Sequence, residues 1–497
     1  MEYIQSRFEG YLWDLVQHKK VRSVYALTRD GKPELYVKVY HPVSVFLKLR
    51  NLVYPKTLQE AHTLERLRSS GLPVPEVVTH LRHGPISALV TKAVYPSTSL
   101  ASLPEERQID ILCGMAARLL GMGFTYGDCH AGNIVLDGTD RPILVDAYAV
   151  SPLRAMKTGH VVSLFSQIAA AYRVPGEALQ RHLAGLLPPE GIAGAVEAIR
   201  TKGLASRIRL VGRRAKRTLR EGSFSRHVTG AGYEAFVSRK HQGLRRGDAA
   251  GWRGADYESS VSRSRPLSLD TVLEEHARNL SQGTNVLKLQ KKTQLSQVGD
   301  LCVKSYARPK PFTALYALRS WKGLMTLYYN NIPVAEPVAV VLGKDRTSVL
   351  ITGMVSGQDL NRVLFHEYPA MSLAEKRALA RALGGLLGTM HGYGIFHADL
   401  KSSNIRVLKD PLSFVLLDTD KVRQGRSLCR KKRIRNMAQI NRTIPRHVSK
   451  GVRMAFVRAY AKITGEDPKA LFREVWALSS RGGIAYRTDQ GDRSESW

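Results

Sequence analysis

"GIFHADLKSSNIRVL" occupies Gly394–Leu408, and "GFTYGDCHAGNIVL" occupies Gly123–Leu136. Each sets an aspartate five residues before an asparagine, Asp399 before Asn404 and Asp128 before Asn133. A polar loop bounded by short apolar runs reads as strand, loop and strand. The two aspartates lie 271 residues apart, so the flanks were compared for further parallels.

The parallels extend in both directions. "ELYVKVY" (Glu34–Tyr40) alternates as a strand that carries Lys38, and "DLCVKSY" (Asp300–Tyr306) does the same with Lys304. Helical patterns follow, "TLQEAHTLERLRSSGLPVPEV" and "ALYALRSWKGLMTLYYNNIPVAEPV", each stopped by a proline turn. Strand-like "SALVTKAVYP" and "TSVLITGMVSG" come next, then helical "RQIDILCGMAARLLGMG" and "AEKRALARALGGLLGTMHGYG". Each series closes on a short strand ending in aspartate, Asp146 in "PILVDAYAV" and Asp418 in "FVLLDTDKV". Lysine and loop aspartate are separated by 90 and 95 residues, and loop asparagine and final aspartate by 13 and 14. Ordered agreement of this kind predicts a tandem duplication.

Length and charge bound the rest. A chain of 497 residues with 43% apolar content suggests two to four packed domains. The formal charge of +33 favours polyanionic partners: nucleic acid, anionic lipid head groups or phosphorylated ligands. The cysteines at 113, 129, 302 and 429 match no zinc or disulfide spacing, which fits a reduced compartment and inert thiols. The first residues lack the order of a signal peptide, and no apolar run is long enough to span a bilayer, so any membrane role is expected to be peripheral.

The repeated residue set points to phosphate chemistry. A strand lysine neutralises phosphate oxygens. An asparagine and an aspartate are hard oxygen ligands suited to Mg²⁺. A loop aspartate takes or orients the proton of an attacking hydroxyl. Phosphoryl transfer needs little beyond positioning and charge neutralisation, and these are its parts.

Both halves resemble the eukaryotic-type protein-kinase fold. "HADLKSSN" (His397–Asn404) is similar to the kinase catalytic loop, His-x-Asp-x4-Asn. That resemblance implies Asp399 as catalytic base, Lys401 reaching the transferring phosphate, Asn404 and Asp418 as metal ligands, and Lys304 as the nucleotide-binding lysine. More narrowly, "FHADLKSSNIRV", "LLDTDKVR", "NMAQINRTI" and "RSW" before "NNIPVAEPVAV" resemble the bacterial lipopolysaccharide core kinases, which phosphorylate heptose or Kdo sugars. The first half is a more distant relative. Its "YGDCHAGNIVL" is also similar to the loop of small-molecule phosphotransferases such as aminoglycoside kinases. By that likeness Asp128 is the base, Asn133 and Asp146 hold metal, and Lys38 pairs with Glu60 on the helix.

The resemblance implies an α+β fold of two tandem bilobal kinase-like domains, each with an antiparallel β-rich N-lobe and a helical C-lobe. The expected boundaries are 1–220 and 285–480, with a basic Gly/Ser/Arg-rich connector at 221–284 and a disordered tail at 481–497. It implies ATP and Mg²⁺ as cofactors, and an anionic glycolipid or sugar acceptor at the inner face of the cytoplasmic membrane. The run 421–453 holds twelve Lys/Arg and no acidic residue, which suits docking to an anionic surface. The alternatives are a Ser/Thr protein kinase with one regulatory copy, or a nucleic-acid-binding protein on a kinase platform. Against the first stands the missing Ala-Pro-Glu signature, and against the second the scarcity of aromatics in the basic runs.

The pattern departs from kinases in four places. Neither half has a Gly-x-Gly-x-x-Gly loop, with "TRDGKPE" and "KKTQLSQVGD" standing in its stead. Ser320 or Trp321 occupies the helix position of the usual glutamate, which leaves Lys304 without an evident acidic partner. Tyr126 replaces the loop histidine, and "DAY" replaces Asp-Phe-Gly.

Overall fold

In the computed structural model the described residues are 2–240, 268–310, 313–426, 428–488 and 491–497. They divide into two compact units, Met1–Arg207 and Ile208–Trp497. The fold is α+β, an antiparallel sheet followed by a helical lobe in each unit.

In the first unit five antiparallel strands run in the order Leu12–Lys19, Arg22–Arg29, Lys32–Tyr40, Ile86–Lys92 and Val77–His83. The alternation noted in "ELYVKVY" sends Val37 and Val39 into the sheet's core with Leu27, Ala88 and Val90. Lys38 therefore takes the opposite face, toward the helix Lys56–Ser69. Below the sheet, the helix Glu105–Gly121 presents Ile109, Leu112, Ala116 and Leu119 to a second core. These residues recur at helical spacing, which buries one stripe and leaves Glu105, Glu106 and Arg107 in solvent.

The second unit repeats this strand order and adds to it. Its seven-stranded sheet runs Ser225–Gly230, Tyr233–Ser238, Pro337–Gly343, Ser348–Gly353, Leu301–Tyr306, Thr293–Val298 and Val286–Gln290. The hairpin 225–238 falls in the stretch expected to be a connector. It pairs with Pro337–Gly343 because Ala235 and Val237 alternate into the apolar cluster around Val303 and Ile351. The helix Leu269–Gln282, from the same stretch, caps that face through Val272. The rest of the expected connector, 241–267, lies outside the described residues.

The tail also departs from expectation. Ile484–Thr488 pairs with Gly491–Glu495, and the Trp497 ring meets Trp476 edge-on at 4.9 Å between centroids. No helix among the described residues is long and apolar enough to cross a membrane.

Candidate active site

In the second unit the strand lysine and the post-strand aspartate converge. Lys304 Nζ lies 2.8 Å from Asp418 Oδ1 and 3.3 Å from Asp420 Oδ1. Asp420 is the acidic partner that sequence reading missed. Its Oδ1 accepts from Tyr306 OH at 3.0 Å and from the Ser320 hydroxyl, which also bonds Tyr306 OH at 2.7 Å. Ser320 thus holds the helix position of the usual glutamate and recruits a carboxylate from a different segment. The helix must come close for this to happen. A Cβ on Gly323 would sit 2.0 Å from Thr419 O, so only glycine fits there, and Thr419 Oγ1 donates to Ser320 O at 2.9 Å.

Burial alone would lower the Lys304 pKa. Tyr306, Asp418 and Asp420 outweigh it and raise the value, so the ammonium stays charged. Burial likewise pushes the Asp418 carboxyl up, while Lys304 outweighs it and holds the group below the ordinary carboxylate value.

The Asp399 loop is fixed from both sides. Asn404 Nδ2 donates to Asp399 O at 2.9 Å, and the Asp399 amide donates to His397 Nδ1 at 3.3 Å. The other ring nitrogen, Nε2, donates to Leu417 O at 3.3 Å, which ties the loop to the strand before Asp418. His397 is fully buried, and burial lowers its pKa, as suits a neutral structural ring. From beneath, Asn436 Nδ2 donates to His397 O at 2.6 Å, Gln439 Nε2 to Ala398 O at 2.9 Å, and the Ser402 amide to Thr443 Oγ1 at 3.0 Å. These three side chains belong to "NMAQINRTI". Sequence reading treated that motif only as a likeness, although its amides three residues apart share one helical face. The Asp399 carboxylate faces Lys401 Nζ at 3.5 Å and Lys421 Nζ at 3.8 Å.

The first unit assembles the same positions differently. Lys38 Nζ is 2.5 Å from Glu60 Oε1, donates to Val145 O at 2.9 Å, and lies 3.8 Å from Asp146 Oδ1. Asp146 Oδ2 also accepts from Arg22 Nη1 at 3.0 Å, a contact the sequence did not reveal. Burial pushes the Asp146 carboxyl up, but Lys38 and Arg22 together hold it below the usual value. Tyr126 takes over the histidine's task, since its hydroxyl donates to Asp146 O at 2.7 Å and accepts from Asn133 Nδ2 at 2.8 Å. Asn133 Nδ2 further meets Asp128 O at 3.0 Å, and His130 Nε2 lies 3.5 Å from Asp128 Oδ1.

The glycine loop has a plain substitute in both units. Its place is the tight turn between the first two strands, closed by Lys19↔Arg22 in one unit and Gln290↔Thr293 in the other. Lys20 stands at the first turn, and Lys291 with Lys292 at the second. Most of "TRDGKPE" belongs instead to the next turn, where Asp30 and Gly31 both adopt positive φ.

The donor sets differ in their fit to a divalent metal. Among the described residues no three His, Cys, Asp or Glu side chains cluster as a metal site. Mg²⁺ on a nucleotide needs only one or two protein oxygens beside the phosphates. Asp418 and Asn404 fit that role: among the described residues Lys304 is the cation in contact with the carboxylate, and Lys288 acts on it from farther off. Asp146 fits less well, because Arg22 and Lys38 both lie in ion-pair range of it. The basic run 421–453 is also divided in use. Arg430 and Arg433 pair with Glu466, while Arg442 and Arg453 bond backbone carbonyls, so these four do not serve a docking face.

Comparison with known proteins bears on the second unit. Residues 275–461 match the model of the lipopolysaccharide kinase (Kdo/WaaP) family. No curated protein sequence matches the chain. Among solved structures, WaaP in complex with acyl carrier protein is 18% identical over 40% of this chain and 86% of its own, with a TM-score of 0.32. An aminoglycoside-3'-phosphotransferase of type VIII is 15% identical over 41% of this chain and 97% of its own, at 0.29. WbdD with a kinase inhibitor is 17% identical over 37% of this chain and 45% of its own, at 0.27. Scores this low carry no argument about mechanism, which rests on the family match and the side-chain geometry. The match over residues 275–461 indicates a phosphotransferase similar to the lipopolysaccharide kinases (Kdo/WaaP).

Proposed function

We propose that the second unit is an ATP-dependent kinase that phosphorylates a heptose or Kdo sugar of a lipopolysaccharide core at the inner face of the cytoplasmic membrane. The observation that carries this reading is the meeting of Lys304 with Asp418 and Asp420, within the segment that matches the family. Lys304 would neutralise nucleotide phosphate oxygens, and the lysine turn at 291–292 would supply charge where kinases use glycine amides. Asp418 and Asn404 would hold Mg²⁺, which when bound offsets the charge of the triphosphate.

Asp399 accepts the proton of the acceptor hydroxyl as that oxygen attacks the terminal phosphorus, and the bond to the leaving diphosphate breaks. Lys401 and Lys421, beside that carboxylate, would draw an anionic acceptor and steady the transferred group. In the first unit, Arg22 engages the Asp146 carboxylate that would otherwise be offered to a metal. We infer that Lys38, Glu60, Asp128, Asn133 and Asp146 form a kinase-like site that does not turn over.

The test is incubation of the full chain with labelled ATP and either core oligosaccharide or a basic protein. Label in the oligosaccharide, lost in Asp399→Ala and kept in Asp128→Ala, is the expected result. Label in the protein substrate, or loss only in Asp128→Ala, would overturn the reading.

A further inference from the structure

The helix Val45–Val53 of the first unit is folded with its apolar side outward. At 100° per residue, Leu52, Val45, Leu49, Val53 and Phe46 fall on one arc about 120° wide. Val45 and Phe46 are 73% and 72% exposed, and Val53 is 86% exposed. The inward side carries the half-buried Leu47 beside the polar Asn51. Asn51 is buried, and its Nδ2 donates to Pro85 O at 2.7 Å and to Ser87 Oγ at 3.1 Å. Its Oδ1 accepts from the Lys56 amide at 3.1 Å, and Ser44 Oγ caps the other end by accepting from Leu47 N at 3.3 Å. A helix held by Asn51 and one half-buried leucine, with its five other apolar side chains exposed, is the reverse of a surface helix that packs its main apolar stripe onto a core.

Its charges select the partner. Lys48 and Arg50 flank the arc, one on each side, and no Asp or Glu occurs between His41 and Gln59. An exposed apolar arc bordered by cations is the arrangement of a helix lying in a lipid head-group layer. A second copy of this chain would bring another +33 against the same surface, which disfavours self-association there.

We propose that Val45–Val53 is an interfacial helix that docks the protein on an anionic bilayer, with Phe46, Leu49 and Val53 entering the acyl boundary and Lys48 and Arg50 at the phosphate level. None of these residues is among those assigned above to a kinase-like centre. It deepens the reading of a membrane-borne acceptor, and it rests on that reading only for the choice of a bilayer as partner.

The experiment is co-sedimentation of the full chain with sugar-free vesicles of phosphatidylcholine, with and without phosphatidylglycerol. The wild type is expected to partition onto the phosphatidylglycerol vesicles. The triple variant Phe46→Ser, Leu49→Ser, Val53→Ser should lose at least about tenfold in partition while keeping its melting temperature. In a second variant, Phe46→Trp, emission should shift to the blue when those vesicles are added. A triple variant that binds like wild type, a silent Phe46→Trp, or a wild type that self-associates through this helix and ignores vesicles would overturn the proposal. Turnover on a water-soluble acceptor separates the two readings. Vesicle binding through this helix with no sugar phosphorylated would leave docking intact and remove the proposed kinase function.

Discussion

Lys38 and Lys304 stand at the same register position in the two sheets, each two residues before a tyrosine that closes the strand. Around them the counter-charges are arranged in opposite ways. In the first unit the acid sits on the helix, as Glu60, and Tyr148 fills the place two residues after Asp146. In the second the helix offers Ser320, and the acid sits two residues after Asp418, as Asp420. Register also equates Arg22 with Thr293, opposite Tyr40 and Tyr306 respectively. The first unit thus places a second cation in contact with its aspartate, whereas in the second unit Lys304 touches Asp418 and Lys288 acts from farther off. A buried lysine needs a carboxylate but is indifferent to which segment supplies it. The aspartate, by contrast, serves a metal only while its charge is not already cancelled.

The largest effect that would break this comparison is on turnover. Asp399→Ala or Asp418→Ala should lower phosphoryl transfer about 10²- to 10⁴-fold in a labelled-ATP assay, while Asp128→Ala and Asp146→Ala stay within about twofold. Comparable losses from both sets would make the units equivalent.

Asp420→Asn should raise the KM for ATP about tenfold or more, as expected on removing a hydrogen-bonded charge partner. Adding Ser320→Glu, which returns the acid to the helix as in the first unit, should restore much of that loss. Failure of the rescue would show that Asp420 does more than anchor Lys304.

Exchanging Arg22 and Thr293 tests the metal argument. Thr293→Arg should reduce kcat/KM severalfold and raise the Mg²⁺ concentration needed for half-maximal rate, because a second cation lowers the charge available at Asp418. An unchanged Mg²⁺ requirement would remove Arg22 as the reason for the first unit's misfit.

The smallest effect concerns acid stability. His391, at the end of the helix Leu373–Gly392, accepts from Tyr460 OH and donates to Asn436, and burial drives its pKa down to about 4. Its counterpart three residues before the matching glycine is Leu120, which cannot titrate. The unfolded chain takes up this proton first, near pH 6.5. The contribution of His391 is therefore full above that value and is lost as the pH drops toward about 4, by about 3 kcal/mol, and buried His397 acts in the same direction. Thermal melts followed by tryptophan emission should show the second unit softening first. His391→Leu should reduce the pH dependence while lowering the starting stability, since Tyr460 OH and Asn436 each lose their bond to the ring.

Much of this architecture was legible because it is written in local spacing. Strand alternation placed Lys38 and Lys304, helical stripes placed the cores, and Asp-x4-Asn placed the two loops. What escaped notice depends on segments far apart in the chain. Asp420 matters because it meets Ser320, one hundred residues earlier, and Arg22 because it meets Asp146. Asn436, Gln439 and Thr443 gained meaning only when their helix lay under the Asp399 loop. The hairpin 225–238 looked like linker because its basic and small residues hide two inward positions, Ala235 and Val237.

By itself the sequence determined which chemistry was on offer: a lysine, an amide and two carboxylates at spacings that short-range backbone geometry converts into strand, loop and strand. Tertiary structure decided which charges cancel. Coulombic pairing is a matter of ångströms through space, and residues a hundred positions apart reach that range only once the sheet and the helix have packed. The same holds for the helix Val45–Val53. Its apolar arc is present in the letters, but only the folded chain shows that Asn51 faces inward and the arc faces water.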